Sequence, residues 1–395
     1  MRRIISAIAV IGVLTLAMLA AVSTQPDDAT AVPAFARKYR MSCTTCHAPI
    51  PRLKDYGDEF AGNGFVLADQ EAPRYYVETG DENLSLIREL PFAMRLEGFI
   101  KHETRTDRDV DMSAPYNLKL ISGGALAKNL AYYFYFFFSE RGEVAGIEDA
   151  FLMFNNLFDS ELDIYVGQFA VCDPLMKPEV RLTYETYQIY KQRVGDAQAD
   201  LSYDRGIMLT YAFDTGTDIV LEIINGNGIG AVDDFRVYDD DKYKHVFGRI
   251  SQGLGDYLRI GGFGYYGKEN DNNPNELWMA GPDATLSYQD KLELNLQYVE
   301  RRDDNPFFTT VKPDKEVETR GGVAELIIMP KGDRSRWYGT ILYNQIDSDI
   351  DDHDYQTITG HVGYLLRTNL RLVFENTYDI EYEENRAVVG FVAAF

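Results

Sequence analysis

From residue 91 to the end, one pattern repeats. Runs of roughly ten residues alternate apolar and polar side chains, and turn residues or polar stretches separate them. ELDIYVGQF (161–169), LELNLQYVERR (292–302) and RAVVGFVAAF (386–395) are examples. Period two means that successive side chains point to opposite faces of a strand. Strands are expected over 91–102, 116–127, 130–140, 147–156, 161–170, 205–214, 217–226, 244–252, 256–267, 276–288, 291–301, 316–329, 336–346, 355–366, 369–379 and 385–395. That is about sixteen antiparallel strands, an even number of membrane-spanning length.

The connectors fall into two classes. AKNL, LFDS, DTGT, GLGD, YQDK, PKGDRS and RTN are short. Those between them are mostly longer and more polar, the longest being 171–204. Short turns on one rim and long loops on the other define the layout of an outer-membrane barrel; a soluble sandwich does not alternate so regularly. Composition agrees, with 27 Tyr, 22 Phe, 3 Cys and a net charge of −23. That charge argues against a nucleic-acid partner, whose phosphates demand clustered Lys and Arg. A secreted acidic enzyme shares those totals, so the strand pattern decides. The terminal Phe395 fits delivery to the outer membrane.

Strand parity assigns faces. Ile207, Leu209, Tyr211 and Phe213 are expected toward lipid, with Gly206, Met208, Thr210 and Ala212 toward the lumen. Ile358 and Val362 face lipid and His361 points inward; Leu292, Leu294, Leu296 and Tyr298 oppose Glu293, Asn295 and Gln297. AYYFYFFF (131–138) is aromatic on both faces, so its inward half must meet something apolar or be an ordinary buried strand.

The N-terminal part differs. Arg2 and Arg3 precede an uncharged run from Ile4 to Val22, followed by small residues. This is the form of a secretory signal (1–24), cut between Ala20 and Ala31; an uncleaved anchor is the alternative. No later stretch is long and apolar enough for a transmembrane helix. Residues 25–80 then carry MSCTTCHA (41–48), and 81–395 form the barrel.

C-x-x-C-H is the attachment signature of haem c. Two thiols add to the two vinyl groups, and the next residue ligates the iron. Cys43, Cys46 and His47 would take these roles for one covalent haem. A thioredoxin-like disulfide expects a preceding strand, and none is seen; a zinc knuckle needs a second ligand pair. The remaining cysteine, Cys172, is 126 positions beyond Cys46 and has no partner; a free exported thiol could join another chain. Between Pro51 and Gly64 a short helix is expected, with Leu53, Tyr56 and Phe60 on one face. That face, with Phe35 and Met41, either covers the haem or packs elsewhere. A segment of about forty residues is too small for its own core and must borrow shelter from the barrel. The distal ligand stays open: His361 ranks first, beside Met208, Met153 and Met279, while Met94 shares the outward parity of Phe92 and His102 ends the first strand.

The order of signal, AFARKYRMSCTTCHAP (34–49), KDYGDEFAGNGF (54–65) and barrel resembles the fused outer-membrane cytochrome–porins, single-chain proteins associated with extracellular iron oxidation. The resemblance is architectural over the chain and close only across 34–65. It implies an electron conduit, with the haem in or against the pore, an extracellular donor such as Fe(II) and a periplasmic carrier as acceptor. Two alternatives stand beside it: a solute porin with a haem-bearing plug or sensor, and a conduit that exports electrons. YDDDK (238–242) and DSDIDDHD (347–354) either attract cations or simply solvate the outer rim.

Overall fold

The computed structural model describes residues 34–67, 77, 80, 81, 84, 86–88, 90–104 and 110–395, apart from 233, 240 and 314. The expected signal segment lies outside these residues. Sixteen antiparallel strands close into one barrel, each paired with its sequence neighbours and the first with the last. They are β1 (Phe92–Glu103), β2 (Asp111–Ala127), β3 (Leu130–Glu140), β4 (Gly146–Leu157), β5 (Leu162–Ala170), β6 (Tyr203–Ala212), β7 (Thr217–Ile224), β8 (His245–Leu254), β9 (Leu258–Glu269), β10 (Asn275–Tyr288), β11 (Leu292–Asp303), β12 (Val317–Ile328), β13 (Trp337–Ser348), β14 (Tyr355–Arg367), β15 (Leu370–Asp379) and β16 (Glu384–Ala394). Closure runs from Arg95 opposite Ala394 to Glu103 opposite Arg386, so neither terminal strand leaves an open edge.

Every expected strand is present. The largest difference is β2, which begins five residues early, at Asp111 rather than 116, because DMSAP extends the ladder with Asp111–Ser113 opposite Phe99–Lys101 beyond a register shift. The alternation follows the assigned faces. Ile207, Ile358 and Val362 lie outside, while Met208 and His361 are buried inside. Outward apolar side chains are well exposed on strand after strand, among them Ile223, Ile250, Leu296, Ile341 and Phe374. Aromatic pairs such as Trp337 with Tyr364 (4.5 Å) and Tyr211 with Phe213 (4.6 Å) sit near the short-connector rim. An apolar outer band flanked by aromatic side chains is the surface that lipid solvates. Among the described residues no helix is long and apolar enough to cross a membrane.

The lumen holds polar groups beside a buried apolar cluster that joins wall residues such as Phe247 and Leu342 to connector residues such as Tyr190 and Leu201. Several charged residues there are paired, as Arg301 with Asp303 (2.7 Å) and His361 with Glu375 (2.9 Å), whereas both carboxylate oxygens of buried Glu222 lack a hydrogen-bond partner among the described residues. The connector 171–202, between β5 and β6, folds inward rather than out. Glu375 accepts hydrogen bonds from the backbone N–H of Tyr184 (2.6 Å) and Glu185 (2.8 Å). Glu269 Oε1 accepts from Gln198 and Ala199, each at 2.8 Å. Tyr187 donates to Glu325 at 3.0 Å, and Arg301 donates to the Ala199 carbonyl at 2.6 Å. Glu179 and Glu185 form ion pairs with Lys119 and Arg386. Cys172 is completely buried within this connector. A thiol so placed is not available to join another chain, which removes the linking role left open for it.

Candidate functional site

The N-terminal residues build a small unit against the short-connector end of the barrel. Helix α1 (Ala34–Tyr39) leads to a 3-10 turn at Cys43–Thr45, and helix α2 (Asp55–Gly62) follows. A helix rather than a strand immediately precedes Cys43, unlike the strand that a thioredoxin-like motif expects. The turn is tied locally. The N–H of Cys46 (3.2 Å) and of His47 (2.9 Å) both donate to the Cys43 carbonyl, and Lys54 N–H donates to the Cys46 carbonyl at 2.9 Å. Helix α2 is shorter than expected, starting at Asp55. Leu53 therefore precedes it, and Tyr56 is 42% exposed rather than packed with Phe60.

Aromatic rings hold this unit together and to the wall. Phe35 stacks on Phe65 (5.0 Å between centroids), Phe60 meets Phe35 edge-on (5.3 Å), and Phe65 stacks on Tyr133 of β3 (5.6 Å). Each such pair contributes about 0.5–1.5 kcal/mol beyond its buried area. Tyr133 belongs to the inward half of AYYFYFFF, so that half does meet the N-terminal segment. Gly123 of β2 makes the approach possible: a Cβ there would lie 2.9 Å from Tyr133 and 3.1 Å from Phe65. Polar links join the same rim. Arg52 pairs with Glu293, Lys54 with Asp333 (2.5 Å) and Lys177 with Asp58 (3.0 Å), and Asn156 donates to Asn63 at 2.9 Å.

Between this unit, the inner wall and the start of the luminal connector lies a cavity of about 450 Å³. Its volume falls within the roughly 300–1,000 Å³ of cofactor sites. Cys43, Cys46 and His47 line it together. Ile121, Phe151, Tyr165 and Val220 supply an apolar wall, and Pro174 and Val180 of the connector complete it. The two half-buried thiols are raised in pKa, chiefly by burial. Burial also lowers the His47 pKa, favouring a neutral imidazole. Its Nδ1 lies 2.9 Å from the Pro51 carbonyl. A carbonyl only accepts, so Nδ1 carries the proton and Nε2 keeps its lone pair. A metal-binding imidazole is held by this type of bond.

The other ligand candidates are dispersed. His361 points inward, as parity requires, but its Nδ1 bonds to Glu375 and it lines a smaller cavity that adjoins this one through Arg95, Lys119 and Glu179. Met279 shares a buried apolar cluster with Met208 but does not line the cavity, and His102 sits near the long-connector end of β1. Met208, Met153, Met94 and Met41 all line the cavity beside His47, which corrects the lipid-facing position that parity with Phe92 gave Met94 at the end of β1. Parity had identified Met153 and Met208 as inward. Sequence reasoning missed the role of Pro174–Val180, because nothing local marks a polar connector as turning into the lumen.

Gly57 gives a direct test of the segment's geometry. A Cβ at this buried position of α2 would stand 2.5 Å from the Cys46 carbonyl oxygen. On the haem c expectation drawn from Cys43, Cys46 and His47, Gly57→Ala is expected to cut covalent haem loading several-fold while leaving the barrel's heat-dependent gel mobility unchanged. Equal loading in purified wild type and variant would contradict that expectation.

Asp239 pairs with Lys244, and Asp354 accepts from the Ser348 N–H at 2.9 Å. Among the described residues, no group of three or more His, Cys, Asp and Glu side chains is placed to hold a metal ion.

No protein-family model matches the chain, and no curated protein matches it in sequence. Solved structures do match in fold. An anion-selective porin from Comamonas acidovorans is 10% identical with a TM-score of 0.56, covering 78% of this chain and 99% of its own. The outer membrane channel DcaP of Acinetobacter baumannii is 12% identical with a TM-score of 0.56, covering 78% and 97%. The outer membrane protein OmpT of Vibrio cholerae, in its trimer form, is 10% identical with a TM-score of 0.54, covering 78% and 99%. At such identities the likeness establishes a porin-type barrel and nothing finer.

Proposed function

We propose that the chain is an outer-membrane electron conduit, a c-type cytochrome segment fused to a porin-type barrel, which passes electrons from an extracellular donor such as Fe(II) to a periplasmic carrier. One observation carries this reading: Cys43, Cys46 and a neutral His47 with its Nδ1–H satisfied converge on one apolar cavity at the mouth of the barrel. The residues fit haem c. Cys43 and Cys46 would hold it through thioethers and His47 Nε2 would ligate its iron. Bound there, the group supplies a one-electron centre.

The chain's own residues do the rest. An apolar band about 25 Å tall is an insulator, and electrons cross it poorly without an intermediate centre. The barrel insulates the path from lipid and fixes the site between the two faces. Phe35, Phe60, Phe65 and Tyr133 exclude water from one side of the cavity, and Pro174 and Val180 do so from the other. Exclusion of water and the choice of axial ligand are the protein's means of setting the potential. In the usual layout short turns face the periplasm, and the Cys43–His47 segment packs at the short-turn rim, which supports a periplasmic position for it. The luminal connector weighs against the solute-porin alternative, because it is anchored across the lumen to Glu269, Glu325 and Glu375 and takes up part of its space.

The test uses the purified full chain in liposomes with an electron acceptor inside and ferrous iron outside. Acceptor reduction that depends on His47 supports the conduit. Reduction undiminished by His47→Ala, or solute leakage at open-porin rates, would sink it.

A further inference from the structure

We propose that a thioether of the lumen wall, Met153 or Met208, is the haem iron's second axial ligand, and that no imidazole fills that position. This rests on the haem c reading above. The chain has five histidines, and His47 alone among them lines the cavity. His245 uses both ring nitrogens, on the Tyr265 hydroxyl (2.5 Å) and the Lys268 carbonyl (3.0 Å). His361 is bonded to Glu375 at 2.9 Å and stacks on Tyr338. His102 lies near the far end of β1, and His353 is in a 3-10 turn of the connector between β13 and β14. A second imidazole would have to cross from another part of the barrel.

Sulfur donors, in contrast, are already there: Met41, Met94, Met153 and Met208. Two of these are badly placed. Met41 stands two residues before Cys43, so its backbone is tied to the edge where the thioethers form. Met94 lies between Ala93 and the inward Arg95 on β1, and its backbone is fixed by two hydrogen bonds to Phe395 (2.6 and 2.9 Å) at the rim. Met153 of β4 and Met208 of β6 remain. Both point inward and are buried, at 1% and 7% exposure. They flank Tyr165 in one cross-strand row, Met153 opposite Tyr165 and Tyr165 opposite Met208. They also belong to the wall and not to the segment that carries His47, as a ligand for the opposite face of a ring must. An unbranched thioether with three rotatable bonds adapts readily to such a gap. Thioether ligation raises the haem potential relative to a second histidine, which suits a centre oxidising a ferrous donor.

The experiment compares the full-length holoprotein with Met153→Leu, Met208→Leu and the double variant, swaps that nearly conserve volume. The readouts are the near-infrared sulfur-to-iron charge-transfer band of the ferric form and the midpoint potential. Covalent haem staining and heat-dependent gel mobility confirm that each variant is loaded and folded. The expected result is a band in the wild type, its loss in one single variant and in the double variant, and a lower potential wherever it is lost. Haem present with no band in the wild type, or a band that survives in the double variant, overturns this proposal alone. A wild-type chain with no covalent haem overturns the haem reading itself, and this proposal with it.

Discussion

Replacing Cys43 and Cys46 together by alanine is expected to abolish covalent haem and all haem-dependent electron transfer while leaving a folded barrel. Both thiols lie in the turn at the barrel mouth, outside every strand. Barrel closure depends instead on the β1–β16 ladder, from Arg95 opposite Ala394 to Glu103 opposite Arg386. The attachment unit would keep its ring stacking through Phe35, Phe60, Phe65 and Tyr133. The variant should therefore show native heat-dependent gel mobility, no haem stain after denaturation, and acceptor reduction at the level of protein-free liposomes. A double variant that retained covalent haem would remove Cys43 and Cys46 from the assignment. One that failed to fold would mean that the attachment segment is needed for barrel closure, contrary to the ladder's independence.

The wall was legible because lipid and lumen impose opposite demands on alternate residues. Ile358 and Val362 had to be apolar and His361 did not, and a period of two is visible without any knowledge of partners. The proposed haem site could be read from the sequence because Cys43, Cys46 and His47 are local, within five consecutive positions. What escaped was non-local. The luminal course of 171–202 is set by acceptors far along the chain, Glu375 for Tyr184 and Glu185, Glu325 for Tyr187 and Glu269 for Ala199. Nothing within TYETYQIY tells an inward connector from an exposed one. His361 shows the same limit. Parity placed its side chain inside correctly, but period two carries no information about height or circumference, so it could not say which of two cavities the side chain would reach. Helix α2 was overextended because Leu53, Tyr56 and Phe60 have helical spacing, whereas Leu53 meets the cavity from the preceding turn.

Replacing residues 173–200 with a short Gly/Ser turn is expected to convert a sealed barrel into an open channel. The neck of this connector already brings its ends together, through Val171 N–H to the Ser202 carbonyl (2.7 Å) and Cys172 N–H to the Leu201 carbonyl (3.0 Å). A two- to five-residue turn is a usual hairpin closure, so β5 and β6 should keep their register. The deletion strips partners from Glu269, Glu325, Arg371 and Glu375. In a dry core each unpaired group would cost about 1–3 kcal/mol or more. Here the same deletion admits water to the lumen, which solvates those groups, so the barrel is expected to survive. Planar-bilayer recordings should then show large stable conductance steps, and sugar-loaded liposomes should swell, where the intact chain gives neither. The haem cavity loses Pro174, Lys177 and Val180 from its lining, and exposure to water should shift the haem potential in the same variant. Equal conductance in the intact and deleted chains would show that the connector does not seal the pore, and would move the balance to the solute-channel reading. A sealed wild type that opens on deletion would separate two tasks of the fold, a wall that closes the barrel and a connector that blocks solutes, and so support the proposed conduit over the solute channel.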